Sequence, residues 1–257
     1  MSSQILDGGP VDAVLFDYGL TLVDFERPEA AIDAAQVEIA HGIGQAGYPA
    51  PSPDTLRAEV HDRVEAEVRA HEERGALEEI DIVDVERRAF AALGLYLDDD
   101  LRDRCSRIAQ EAWFCGVRAY PEVAEVLGTL SAAGLRLGIC SNAAYRPASM
   151  RDQVWHVGIG DLIDAAVFSS GVGWRKPSPR IFSAALEALG ASAATTVFVG
   201  DRLREDVGGA HGAGMRAVLV SRPRVPASQA ADAGEPEAVI SSLRELPALV
   251  LDARVAR

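Results

Sequence analysis

Short apolar runs that end in a small or acidic residue recur along the chain and predict buried strands. The runs are VDAVLFD (11–17), LRLGICS (135–141), AAVFSS (165–170), TTVFVGD (195–201) and RAVLVS (216–221). Continuous apolar runs of this length are typical of parallel strands that are covered on both faces. Helix-like patterns fill the stretches between them, at 121–134, 145–160, 177–190 and 204–214. This alternation predicts an α/β fold with a doubly wound, Rossmann-like parallel sheet and right-handed crossovers.

The alternation stops once, between the first and the second of these strands. About ninety residues there carry no strand signal, and helix-like patterns cover 28–46, 53–74, 82–94 and 99–114. The clearest pattern is an apolar stripe at four-residue spacing, formed by Leu56, Val60, Val64 and Val68. We therefore predict a core of residues 1–24 and 116–257 and an inserted helical cap domain of residues 25–115, which we call the helical insert.

The position of the helical insert suggests a role for it. In open α/β sheets, ligands bind beyond the carboxyl ends of the strands. An insert attached at the carboxyl end of the first strand lies directly above that place, where it can exclude water and select the ligand. Beyond the last of the five runs, the sequence predicts a Pro/Ala-rich connection from Arg222, a short strand at Ala238–Ile240 and a final helix.

Composition narrows the range of partners. The chain has 257 residues and a formal net charge of -14, which repels nucleic acid and anionic membrane surfaces. We find no leader-like segment and no apolar stretch that would span a bilayer. Three cysteines without metal-ligand spacing are expected to be reduced. We expect a cytoplasmic protein without nucleic-acid or membrane partners, and the sequence does not indicate its oligomeric state.

One basic residue differs from all the others. Of the 25 basic residues, 24 are arginine and one, Lys176, is lysine. Lysine offers a compact point charge, whereas the guanidinium of arginine is planar and bulky. Either Lys176 is an accident of composition, or its position needs a charge that arginine cannot supply.

Two motifs follow the first and second predicted strands. In LFDYGLTLV (15–23), Asp17 ends a buried strand and precedes a glycine turn, which suits a fixed carboxylate nucleophile. An ordinary turn or helix-capping aspartate would look the same. In GICSNAAY (138–145), the hydroxyl of Ser141 and the residues around Asn142 can hold phosphate oxygens where the chain turns.

Two further motifs supply a cation and a pair of carboxylates. Lys176 lies in the proline-bounded loop of SSGVGWRKPSPRIF (169–182), where an ammonium can neutralise charge near an anionic ester. In VFVGDRLREDVGGAHGAGM (197–215), Asp201 and Asp206 can hold a hard divalent cation by oxygen. Magnesium suits this site better than zinc, because no Cys or His ligand set accompanies it. An acidic helix start would explain Asp206 but not Asp201.

The four motifs together, in this order and at strand ends, resemble those of the haloacid dehalogenase superfamily, in its phosphatase-like branch with a helical cap after the first strand. The resemblance extends over nearly the whole chain, including RAYPEVAEVL (118–127) and RKPSPRIF (175–182). It implies a magnesium-dependent hydrolase that acts on a small phosphorylated metabolite. The resemblance implies that Asp17 is the nucleophile and Lys176 a catalytic cation. It implies that the metal is held by Asp17, the Gly19 carbonyl, Asp201 and Asp206. The residues that it implies around the phosphate are Tyr18, Gly19, Ser141, Asn142 and Lys176.

Two residues depart from the family pattern. Phosphatases of the family usually carry a second aspartate two positions after the nucleophile, where this chain has Gly19. The next position, usually glycine, is Leu20. The missing acid would otherwise protonate the leaving group and activate water, and its loss typically costs a factor of ~10²–10⁴ in rate.

Three functions therefore remain open. The first is a phosphatase that forms an aspartyl-phosphate on Asp17. The second is a carbon-halogen hydrolase of the same superfamily, which needs no metal but would not normally present Asp201 and Asp206 together. The third is a catalytically weak protein that binds a phosphorylated ligand. Trp113, Phe114 and Trp174 lie near the predicted hinge of the helical insert or the mouth of the crevice, where they either contact substrate or pack in the core or hinge.

Overall fold

The fold is known from a computed structural model, which describes residues 9–221 and 234–255. The Pro/Ala-rich connection predicted from Arg222 lies outside the described residues as far as residue 233. The strands of the described ranges are β1 Ala13–Phe16, β2 Val23–Phe25, β3 Val117–Ala119, β4 Arg136–Ser141, β5 Ala165–Phe168, β6 Thr196–Gly200, β7 Arg216–Val220 and β8 Ala238–Ile240.

Six of these strands form one parallel sheet, in the order β5-β4-β1-β6-β7-β8. This confirms the predicted doubly wound sheet. The strand order reverses at β1, which lies between β4 and β6. Phe16 pairs with both Ile139 and Val199, so the carboxyl ends of these three strands lie at the same level. In a sheet of this kind, the crevice beyond such a reversal is the usual place for a ligand.

Alternate residues of β1 explain why both sheet faces are covered. Val14 and Phe16 belong to an apolar cluster on one face, and Ala13 and Leu15 belong to a cluster on the other. Side chains alternate between the faces of a strand, so a strand with apolar residues at every position needs helices on both sides. The helices that follow β3 are α6 Val123–Ala132, α7 Pro147–His156, α8 Ser169–Val172, α9 Pro179–Leu189, α10 Gly209–Gly212 and α11 Leu246–Val255.

Two of the predicted elements in the core differ in type from the structure over part of their length. The strand predicted at 165–170 ends at Phe168, because Ser169–Val172 form the short helix α8. The helix predicted at 204–214 begins as a π-helical turn at Leu203–Gly208 and continues as α10.

Helices make up most of the helical insert, close to the positions that the sequence predicts. They are α1 Glu29–Gln45, α2 Pro53–Leu56, α3 Asp62–Glu73, α4 Ile82–Ala92 and α5 Asp99–Ala112. A π-helical turn at Arg57–His61 joins α2 to α3. The four residues of the apolar stripe are all buried, and they pack in one cluster with apolar residues of α1, α4 and α5. The insert therefore has an apolar core of its own.

The π-helical turn keeps the apolar stripe on one side. Four residues of an α-helix advance by ~400°, so a strict four-residue spacing drifts by ~40° at each step. A π-helical turn holds more residues per turn and compensates part of that drift. Leu56 and Val68 consequently reach the same core, although they lie at opposite ends of the stripe.

Two short strands at the borders of the helical insert, which the sequence does not predict, connect the insert to the core. β2 and β3 pair antiparallel, with Val23 opposite Ala119 and Phe25 opposite Val117. The amide of Glu26 donates to the carbonyl of Gly116 at 2.8 Å. A Cβ on Gly116 would lie 2.0 Å from the carbonyl oxygen of Glu26, so only glycine allows this close approach.

None of the helices in residues 9–221 and 234–255 is both long and apolar enough to span a membrane.

Candidate active site at the carboxyl end of the sheet

Asp17 lies directly after β1, at the point where the strand order reverses. Its amide donates to the carbonyl of Val199 at 2.8 Å, which fixes the backbone to β6. Its Oδ1 accepts hydrogen bonds from Ser141 Oγ at 2.8 Å and from Lys176 Nζ at 2.7 Å. The side chain is largely buried and lines a cavity. The structure thus brings three residues from distant motifs into direct contact.

Lys176 lies between two carboxylates. Its Nζ is 2.7 Å from Asp17 Oδ1 and 2.6 Å from Asp206 Oδ1, and the residue is only 4% exposed. Burial by itself would lower the pKa of this ammonium, but attraction to the two carboxylates outweighs burial and raises the pKa. The lysine is therefore charged throughout the neutral range.

Asn142 holds the backbone of Lys176 in place. Its Oδ1 accepts the amide of Lys176 at 2.7 Å, and its Nδ2 donates to the carbonyl of Lys176 at 3.3 Å. Because one side chain satisfies both backbone groups, the loop presents Lys176 in a fixed position. Asn142 also lines the cavity.

Asp206 uses both of its oxygens. While Oδ1 accepts from Lys176, Oδ2 accepts the amides of Asp201 at 3.0 Å and Arg202 at 2.9 Å. Burial is the largest influence on this carboxyl and raises its pKa, although Lys176 opposes the shift. Asp206 therefore ties the lysine to the turn that follows β6.

Asp201 has an unsatisfied carboxylate oxygen. Thr21 Oγ1 donates to its Oδ1 at 3.4 Å, whereas its Oδ2 is buried and has no hydrogen-bond partner in the described ranges. Burial, and then repulsion from Asp17 and Asp206, raises the pKa of Asp201 to about 7. Ligand oxygens of these three carboxylates all lie within 4.8 Å of one another. A divalent cation would satisfy the orphan oxygen and offset the repulsion, so these residues fit one.

The turn after Asp17 has an unusual backbone. Leu20 has a φ of 61°, which places a leucine in the left-handed region that favours glycine. Gly19 itself has no positive φ, and a Cβ added there would lie 3.4 Å from Cε1 of Phe25. The side chain of Tyr18 is buried against Phe168, with ring centroids 6.4 Å apart. Its burial raises the pKa of the phenol.

A cavity of about 610 Å³ opens above Asp17, between the sheet edge and the helical insert. Tyr18, Gly19, Ser141, Asn142 and Lys176, the residues predicted to surround the phosphate, all line it. Trp113 and Phe114 line it as well, whereas Trp174 instead packs against the guanidinium of Arg180, whose Cζ is 3.9 Å from the ring centroid. The cavity is large enough for a ligand well beyond three carbon atoms in size.

Charged residues of the helical insert that line the cavity were not singled out from the sequence. Glu65 forms an ion pair with Arg27, accepts from Trp113 Nε1 at 3.2 Å and lies 3.0 Å from His61 Nε2. Burial raises the pKa of Glu65, but His61 and Arg27 together outweigh it and lower the pKa. In the sequence, such charged residues are expected only to face solvent. The tertiary fold is what brings them together.

A second ion-pair group joins the helical insert to the loop before Lys176. Arg175 contacts Glu79 at 2.9 Å and Glu72 at 3.0 Å, and its amide donates to the carbonyl of Leu77 at 2.7 Å. Glu79 in turn donates its amide to the carbonyl of Gly173 at 3.0 Å. The helical insert is thus attached to the backbone next to Lys176.

The sequence of the chain is similar to a known family of hydrolases and to several known phosphatases. The family model of haloacid dehalogenase-like hydrolases matches residues 11–214. The chain is similar to a phosphoglycolate phosphatase of Rhodospirillum rubrum, with 36% identity over 143 residues, which are 52% of this chain and 58% of the relative. It is 36% identical over 108 residues to a glyceraldehyde 3-phosphate phosphatase of Methanothermobacter thermautotrophicus, covering 42% of this chain and 47% of the relative. The chain thus spans about half the length of the curated relatives it matches.

Solved structures extend the likeness to almost the whole chain. A 2-haloacid dehalogenase from Pseudomonas syringae pv. Tomato DC3000 is 27% identical, covers 94% of this chain and 99% of its own, and has a TM-score of 0.64. A HAD phosphatase from Thermococcus onnurineus is 24% identical, covers 93% of this chain and 98% of its own, and has a TM-score of 0.57. The second likeness shows the fold alone.

Proposed function

The chain belongs to the haloacid dehalogenase-like hydrolases, and we propose that it is a magnesium-dependent phosphatase of small phosphate monoesters. The observation that carries this proposal is the group of three buried carboxylates beside Lys176, in which Asp201 keeps an orphan oxygen. A site for a phosphate and a divalent cation needs this combination of acidic and basic groups. Relatives that are phosphatases of phosphoglycolate and glyceraldehyde 3-phosphate support a small phosphorylated metabolite as substrate.

We assign the metal ligands to Asp17, Asp201 and the backbone carbonyl of Gly19. Asp206 already accepts three hydrogen bonds through its two oxygens, so we place it beside the cation, in contact through water. When bound, Mg²⁺ would neutralise phosphate charge and orient the ester. Lys176 contributes a second positive charge that stays fixed on the protein.

The first chemical step forms a bond between Asp17 and phosphorus. Ser141 and Lys176 both donate to Oδ1, so Oδ2 is the oxygen of Asp17 that we propose as the attacking atom. As the new O–P bond forms, the ester P–O bond breaks and its electron pair leaves with the alcohol oxygen. The products of this step are an aspartyl-phosphate and an alkoxide or phenolate. Gly19 offers no proton to that oxygen.

The second step regenerates the free enzyme. Water attacks phosphorus, the bond to Asp17 Oδ2 breaks with its electron pair, and the carboxylate re-forms. One proton of the water passes to solvent or to the departing phosphate. Because position 19 holds no base, we expect this step to be slow as well.

The helical insert would act as the cap over this reaction. Its residues Arg27, Glu65 and Trp113 line the cavity above Asp17, so they are placed to contact the part of the substrate beyond the phosphate. A cap of this kind also excludes bulk water from the aspartyl-phosphate. We propose that the protein acts in the cytoplasm. Its substrate would be a free small metabolite rather than a group on nucleic acid or on a membrane.

A carbon-halogen hydrolase is the second candidate, and two observations favour it. A solved 2-haloacid dehalogenase is similar over 94% of this chain, and a halide, unlike an alkoxide, leaves without a proton donor. Against it, such a reaction has no use for three neighbouring carboxylates with one orphan oxygen. We therefore favour the phosphatase function over the carbon-halogen hydrolase. The third hypothesis, a protein that only binds a phosphorylated ligand, would show binding without turnover.

One set of assays separates these functions. We would measure release of 4-nitrophenolate from its phosphate and of chloride from 2-chloropropionate, each with MgCl₂ and with excess chelator. The phosphatase requires the metal and releases no chloride, whereas a dehalogenase turns over in chelator. Asp17→Asn should remove either activity. In a parallel measurement, MgCl₂ should raise the Tm of the wild type but not of Asp201→Asn. Full phosphatase turnover in chelator would contradict the metal site.

A further inference from the structure

Phe25 borders the space that the missing acid would occupy. It ends β2, it is 45% exposed, and its ring lines the cavity. A Cβ at position 19 would lie 3.4 Å from its Cε1, which is van der Waals contact. A substrate that enters above Asp17 therefore meets an apolar ring beside Gly19.

Phe25 is one of six apolar residues that line the cavity and that we call the neck wall. Its residues come from the turn after Asp17, from β2, and from the chain at and before the start of β3. They are Leu20, Val23, Phe25, Trp113, Phe114 and Val117. Because Phe25 adjoins Gly19, an apolar leaving group near position 19 would be better accommodated than a polyol.

The carboxylates of the helical insert that line the cavity are engaged elsewhere. Glu65 is held ionised by Arg27 and His61, and Glu72 is paired with Arg175 at 3.0 Å. An ionised, paired carboxylate cannot protonate a leaving oxygen. Among the described residues that line the cavity, Glu205 is the remaining carboxylate outside the predicted metal site, and it lies on the core.

We propose that the substrate is the phosphate monoester of a phenol or of a comparably acidic apolar alcohol, whose ring packs against Phe25 and the neck wall. This inference rests on the proposed phosphatase function. A phenolate departs with the electron pair of the broken P–O bond and needs no proton in that step, so the absence of an acid at Gly19 matters least for this class. The apolar wall and the missing acid thus select the same substrates.

Binding of two stable phosphonates tests the apolar contact without turnover. Benzylphosphonate and methylphosphonate would be titrated calorimetrically into the wild type, Phe25→Ala and Tyr96→Ala, each with MgCl₂. Tyr96 is 77% exposed and does not line the cavity, so it is a matched control. We expect benzylphosphonate to bind about tenfold more tightly than methylphosphonate to the wild type and to Tyr96→Ala. Phe25→Ala should lose most of this preference with little change for methylphosphonate.

Turnover of phenyl phosphate and ethyl phosphate completes the test, in the wild type and in Glu205→Gln. We expect kcat/KM to be at least about 100-fold higher for the phenyl ester in both proteins. Equal affinity of the wild type for the two phosphonates would overturn the inference. It would also be overturned if the wild type hydrolysed ethyl phosphate and Glu205→Gln did not, because Glu205 would then be the proton donor. If neither phosphonate binds and neither ester is hydrolysed, the proposed function itself fails and this inference falls with it.

Discussion

A Cβ atom on Gly200 would lie 2.3 Å from Cγ of Asp206. The last residue of β6 thus leaves room for the carboxylate that holds Lys176, and the glycine is required by this contact. Gly200→Ala should push Asp206 away from Lys176 and lower the free energy of unfolding by about 1–3 kcal/mol through overpacking. We expect kcat with 4-nitrophenyl phosphate to fall by at least about tenfold.

Gly128→Ala is the matched control for this substitution. Gly128 lies within α6, and a Cβ there meets nothing within 4 Å. The same change should therefore raise the free energy of unfolding by about 0.5–1 kcal/mol and leave kcat unchanged. Equal kinetics for the two variants would show that the position of Asp206 does not matter for catalysis.

Gly19→Asp should restore a proton donor. The backbone at Gly19 accepts an L-residue, because its φ is not positive and the added Cβ makes only a van der Waals contact with Phe25. We expect the variant to accelerate ethyl phosphate hydrolysis by ~10²-fold and to change phenyl phosphate hydrolysis much less. The measurement is the ratio of the two rates before and after substitution. A wild type that hydrolyses both esters at equal rates would refute our account of Gly19.

Lys176→Arg should be severely impaired although the charge is kept. The ammonium lies 2.7 Å and 2.6 Å from its two carboxylate partners and is almost fully buried, so a planar guanidinium does not fit between them. We expect kcat to fall by at least about 100-fold, with a lower Tm. Arg63→Lys, an exchange of the same two residue types on an exposed helix face, should be silent. Normal kinetics in Lys176→Arg would make the lone lysine an accident of composition.

Leu20→Gly should stabilise the protein. A leucine at a φ of 61° is strained by about 1–2 kcal/mol relative to glycine, and relief of this strain exceeds the about 0.5–1 kcal/mol of extra entropy that glycine loses on folding. We expect a net gain of up to about 1 kcal/mol in the free energy of unfolding, measured with urea. Leu77→Gly, at an exposed leucine without positive φ, should lose about 0.5–1 kcal/mol instead. Similar losses for both variants would show that the turn is not strained.

The metal-free protein should lose stability as the pH rises from about 4 to about 7. Asp201 has its pKa raised from 3.8 to about 7, so in this window the folded protein holds a proton that the unfolded chain has released. Its stabilising contribution is complete below the unfolded pKa and disappears as the pH passes the folded pKa. In chelator, the unfolding free energy should fall by on the order of 2 kcal/mol between about pH 5 and about pH 8. The free energy of unfolding of Asp201→Asn should change less with pH. MgCl₂ at the higher pH should restore the stability of the wild type.

Local sequence patterns were sufficient for the sheet and most helices, because each depends on neighbouring residues. The paired strands β2 and β3 were missed, since each has three residues and its partner lies about ninety residues away. The meeting of Asp17, Ser141, Lys176 and Asp201 could be predicted because parallel strands end at one edge. Their catalytic and metal-binding roles stay predictions until tested.

What the sequence could not indicate depends on how the helical insert packs on the core. Phe25 reads only as an apolar residue, yet the fold places its ring beside Gly19. The ion pair of Arg175 with Glu79 joins residues about a hundred positions apart. No spacing rule connects such residues, because the helical insert has to pack on the core before they touch.

A chain with a single lysine, held between Asp17 and Asp206, has an unusual spectroscopic property. Selective ¹⁵N labelling of lysine would give one amide resonance and one ammonium resonance, both from the residue that touches the nucleophile. The ammonium is shielded from solvent by burial, so its exchange with water should be slow enough to observe. Binding of a metal, a phosphate analogue or the product should shift the ammonium resonance of Lys176. Because the chain has one lysine, this resonance needs no assignment, and binding could be followed at its Nζ atom.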